Sequence, residues 1–87
     1  MSLIKTMPLT LPTILRVVLK KAREEKGLTQ EELADIVCLR KWHIHEMEET
    51  ETFITFYSMT IKVHAAKRIG AHLGLKESEF LEPVKKS

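Results

Sequence analysis

Gly27 and Thr29 stand two residues apart, and between them one helix has to end and another begin. Thr29-Gln30-Glu31-Glu32 has the form of a capping box. The threonine hydroxyl accepts from the third-position amide while the glutamate side chain reaches back to the cap amide. Leu33, Ala34, Ile36 and Val37 then give a short helix that ends near Cys38, Leu39 lies in a tight connection, and a second helix begins at about Arg40 and buries Ile44 and Met47. Two short helices joined by a turn of a few residues make a helix-turn-helix.

The flanking segments follow the same period. Ile14, Leu15, Val18, Leu19 and Ala22 recur at helical spacing after Leu11-Pro12, with Thr10 or Thr13 as the cap and Gly27 as the stop. A longer helix is expected from Ser58 or Thr60 to Leu73, stopped by Gly74, and a last short one within Leu75–Leu81, closed by Pro83. Residues 52–61 are β-branched and aromatic and read locally as a strand, but no second such run exists to pair with. They are expected to be an extended, packed connector, with a strand at an intermolecular edge as the other option. The expected fold is all-α, a five-helix bundle with the helix-turn-helix second and third. Residues 1–10 read as a flexible arm, 11–82 as the domain and 83–87 as a basic tail.

A chain of 87 residues has room for one modest core. Its formal charge of +2 is too balanced to choose a partner, so the placement of the charges matters more. Cys38 is the only cysteine, which rules out an intramolecular disulfide, suits a reducing compartment and suggests a small core residue. No apolar run approaches the ~20 residues of a membrane span, and the first residues lack the apolar stretch of a secretory signal, so a cytoplasmic location is expected.

The histidines give no metal-binding pattern. His43 and His45 point to different sides of a helix, and His64 and His72 lie about two turns apart, roughly 12 Å of rise. No phosphate loop, nucleophile elbow or paired-acid motif is present, so neither an enzyme nor a cofactor is expected. DNA binding is the alternative that the motif raises. In that geometry Gln30 touches the backbone, and Arg40, Lys41, Trp42 and His45 face the major groove. Against it stands a charge count from Leu39 to Glu51: Arg40 and Lys41 give +2, Glu46, Glu48, Glu49 and Glu51 give −4, and the element nets −2. Arg16, Lys20 and Arg23 line one face of the first helix and read as a solvated stripe, partly neutralised by Glu24 and Glu25.

The fourth helix carries an apolar arc broader than the ~100° stripe that a small core requires. With Ala66, Ile69, Gly70 and Leu73 as core, Ile61, Ala65, Arg68 and His72 form a free margin at i, i+4, i+7 and i+11. Either this margin meets a partner, or Phe53, Phe56, Tyr57 or Phe80 covers it from within.

Leu28-Thr29-Gln30-Glu31-Glu32-Leu33-Ala34-Asp35-Ile36-Val37, with Ile44 and Met47-Glu48, resembles the helix-turn-helix of the Cro and lambda-repressor class. Ala22 to Thr29, Leu39-Arg40, Glu48-Glu49 and Leu73-Gly74-Leu75, followed by an acidic terminal helix, extend the likeness over roughly residues 13–82 to the cytoplasmic domain of the RodZ family of bacterial cell-shape proteins. That resemblance implies a protein-docking module that binds the bacterial actin MreB, at the cytoplasmic face of the inner membrane and anchored only through a segment absent from this chain. The docking surface expected for it combines the fourth-helix margin (Ile61, Ala65, Arg68 and His72) with Phe56 and Tyr57 of the connector, and Lys62 is expected as a flanking cation.

Overall fold

The structure, a computed structural model, describes residues 11–83; the expected arm and all of the expected tail except Pro83 lie outside this range. Five helices follow one another: α1 (Arg16–Glu25), α2 (Gln30–Ile36), α3 (Lys41–Glu49), α4 (Met59–His72) and α5 (Glu77–Phe80). A single 3₁₀ turn, Ile54–Phe56, stands between α3 and α4. Two short strands, β1 (Thr13–Ile14) and β2 (Leu81–Glu82), pair antiparallel and bring the two ends of the described chain together. The all-α helix-turn-helix architecture read from the sequence is the one observed.

The capping box at Thr29 forms as its sequence dictates: the Glu32 amide donates to the threonine hydroxyl at 3.0 Å and the Thr29 amide to the Glu32 carboxylate at 2.8 Å. Gly27 and Gly74 end α1 and α4 at positive φ, with Leu28 N–H donating to Arg23 O and Leu75 N–H to Gly70 O. α2 ends in the same way, Leu39 N–H donating to Ala34 O, but the left-handed residue there is Cys38, at φ 61°. Cys38 is therefore exposed, not a core residue as its type suggested. A side chain in this conformation costs roughly 1–2 kcal/mol, and here no packing compensates for it. Cys38→Gly is expected to raise stability by about 1 kcal/mol in a urea titration; an unchanged or lowered midpoint would show that the turn carries no strain.

The core is built from Leu19 of α1, Leu33 and Ala34 of α2, Ile44 and Met47 of α3, Ala66 and Ile69 of α4, and Phe80 of α5. Phe80 packs against Gly70, where its ring occupies the space any Cβ would need. This close approach explains a glycine in mid-helix, where it otherwise costs up to ~1 kcal/mol.

Two expectations about the segments between helices are corrected. The first helix begins at Arg16 without a side-chain cap, so Thr13 is not its cap, and Thr10 lies outside the described residues. Thr13 and Ile14 instead pair with Glu82 and Leu81, and Leu15 N–H donates to Phe80 O at 2.8 Å. That ladder satisfies backbone groups which a longer helix would have turned inward. Residues 52–61 form neither an extended connector nor a strand: they divide into the 3₁₀ turn and the first turn of α4, capped by Ser58. The cause is tertiary and lies in two buried charges.

A candidate nucleic-acid interface on the third helix

Glu46 of α3 is buried, and its carboxylate gathers the following loop around itself. It accepts from the hydroxyls of Thr52 and Thr55 and from the amides of Ile54 (2.9 Å) and Thr55 (2.8 Å). Burial works to raise the carboxyl pKa, but these four donors outweigh it and bring the group down to about 2. Lys62 of α4, only 1% exposed, completes the junction from the other side. Its ammonium donates to the carbonyls of Glu46, Thr50 and Thr52, so three donors meet three acceptors at the C-terminal end of α3. Burial pushes Lys62 below the ordinary lysine value, and the neighbouring Glu46 carboxylate pulls it back up.

Glu48 is held from α1. Arg23 Nε and Nη2 donate to its two oxygens at 2.7 and 3.0 Å, Nη1 caps the Leu28 carbonyl at 2.7 Å, and Gln30 Nε2 adds a bond at 3.0 Å. Arg23 is thus interior, and the solvated stripe expected on α1 is corrected. The helical face that carries it is covered by α3. Lys20 reaches Glu49 at 2.9 Å, and Arg16 lies 3.7 Å from Glu51. Of the four acids that made this element net negative, Glu46 and Glu48 are therefore held in the interior, and Glu49 and Glu51 stand at the surface beside a cation of α1.

What remains on the outer side of α3 is cationic and aromatic. Lys41, His45 and Trp42 fall within an arc of about 100° facing away from Ile44 and Met47, and all three are exposed, Trp42 by 57%. The arc also contains Glu49, two turns farther on and paired with Lys20. Arg40 precedes the helix, and its guanidinium carbon lies 5.8 Å from the centre of the Trp42 ring. Among the described residues neither Arg40 nor Lys41 takes part in a salt bridge. His43 fixes the start of the helix: its Nδ1 accepts from the Arg40 amide at 3.0 Å, which leaves Nε2 to donate to Thr55 O at 3.2 Å. The fold thus brings together four of the five residues expected to meet DNA. Gln30, the fifth, is half-buried and turned inward to Glu48.

The residues expected to form the docking surface are divided. Lys62, Ala65 and Phe56 are buried and cannot line a surface. Lys62 points into the polar junction, Ala65 belongs to the core cluster, and Phe56 packs its ring 5.0 Å from that of His43. Ile61, Arg68 and His72 remain exposed on α4, with Arg68 donating to Val37 O. Tyr57 stands 88% exposed at φ 70°, flanked by Ile54 at 78% and Ile61 at 51%. Among the described residues no cluster of His, Cys, Asp and Glu could hold a metal, and no helix is long and apolar enough to cross a membrane.

A helix-turn-helix family model matches residues 19–52, from the middle of α1 through α3. No curated protein and no solved structure matches the chain. Fold and family match together define a helix-turn-helix module.

Proposed function

We propose that this domain binds duplex DNA, with α3 lying in the major groove. The observation that carries the reading is the burial of Glu46 and Glu48, each held by donors within the fold, while Glu49 and Glu51 lie at the surface beside Lys20 and Arg16; this weakens the charge argument against it. A phosphate backbone meeting α3 faces Lys41 and His45 at its N-terminal half, where the helix dipole also favours an anion. Selection from random duplexes at low salt should recover a bound sequence, with affinity falling steeply as salt rises. Lys41→Ala should weaken binding and, if Lys41 contacts phosphate, reduce the salt slope by about one. Failure to bind any duplex at low salt, or unaltered binding by Lys41→Ala, would sink the reading.

A second reading has its own support. The exposed apolar group of Ile54, Tyr57 and Ile61 at the start of α4 suits a protein contact, as the RodZ-like resemblance implies for MreB. The two readings separate in one experiment. Ile61→Asp, at a half-exposed position, should keep the fold and DNA affinity under the first and lose co-sedimentation with MreB filaments under the second.

A further inference from the structure

We propose that Arg40 and Trp42 act as one reading unit that selects a thymine next to a guanine in the bound duplex, the indole packing on the thymine methyl and the guanidinium bonding to the guanine edge. The inference rests on the reading of α3 as the groove-facing helix and goes beyond it to the sequence read. On the outer arc of α3, Lys41, His45 and Glu49 are polar, and Trp42 is the one large apolar side chain. An indole that loses water on binding needs an apolar counterpart, and the floor of the major groove offers one, the 5-methyl group of thymine. The Arg40 guanidinium carbon lies 5.8 Å from the centre of the same ring, so it enters the groove beside the indole. The bidentate partner that suits a guanidinium there is the O6 and N7 pair of guanine. Contact with one ring fixes the spacing of the two readers, which is why the two bases should be adjacent.

The test uses the full chain and the duplex recovered by selection. Each thymine is replaced in turn by deoxyuridine, which lacks only the methyl group, and each guanine by 7-deazaguanine, which lacks the N7 acceptor. One deoxyuridine position is expected to weaken binding roughly fourfold, the factor expected for one buried methyl group. Trp42→Ala should bind more weakly and be indifferent to that replacement. The neighbouring 7-deazaguanine should weaken binding by the wild type and leave Arg40→Ala unaffected. Trp42 is the only tryptophan, so its fluorescence should change on binding the thymine duplex. If duplex binding is found but no thymine methyl matters, or if Trp42→Ala is as sensitive to deoxyuridine as the wild type, the proposal is overturned while the DNA reading stands. If no duplex is bound at all, the DNA reading itself has failed.

Discussion

Arg23→Met is expected to remove a large part of the domain's stability. The substitution keeps the apolar stem but leaves the Glu48 carboxylate, whose side chain is 2% exposed, without its bidentate partner, and leaves the Leu28 carbonyl without its donor. Breaking a buried ion pair by removing one member costs on the order of 3–5 kcal/mol. A domain of this size has a total stability of about 5–10 kcal/mol, so a loss of this order removes roughly half of it. Gln30 still donates to Glu48 but brings no charge. The double variant Arg23→Met/Glu48→Leu should recover much of the loss, because a packed apolar pair replaces an ion pair at little cost. Thermal melts followed by circular dichroism decide the matter. A single variant melting within a few degrees of the wild type would mean that the ion pair contributes nothing.

Acid should destabilise the domain through Glu46. Its folded pKa of about 2 lies below the ordinary 4.5, so protons bind more readily to the unfolded chain. The contribution is therefore fully present above pH 4.5 and is lost as the pH falls from there towards 2. Glu46→Gln should be less stable at neutral pH and show a flatter acid profile, because an amide offers a single acceptor oxygen and does not titrate in this range. Comparison of the two denaturation profiles isolates this group from Glu49, which Lys20 also holds below the ordinary value. Parallel profiles would assign the acid sensitivity elsewhere.

Engagement of the acids also changes what a charge count means. A sum over residues 39–51 treats each glutamate as if it faced the partner, whereas Glu46 and Glu48 face the interior. Part of this was legible. On the wheel of α3, Glu48 lies beside Ile44 on the core side, and Lys62 sits in the centre of the apolar arc of α4, between Ile69 and Leu73. A charged residue inside an apolar stripe signals a buried, partnered group, and the periodicity that places the core places it too.

The sequence by itself determined the helices and those of their ends that carry a local cap. Thr29 with Glu32, Ser58, Gly27 and Gly74 act within a few residues of themselves, so the information is local and complete. The apolar spacing of Leu33, Ala34, Ile44 and Met47 likewise located the helix-turn-helix and four residues of its outer face. Tertiary structure decided the rest. The partners of Glu48 and Glu46 come from other segments of the chain, Arg23 lying 25 positions away and the Glu46 donors in the connector. Thr13–Ile14 became a strand only because Leu81–Glu82 was brought beside it. The β-branched run at 52–61 gave up its local preference because a buried carboxylate drew its amides and hydroxyls inward. Local preferences there amount to a few tenths of a kcal/mol per residue. Leaving a buried charge without hydrogen bonds costs several kcal/mol, and avoiding that greater cost sets the path of the chain.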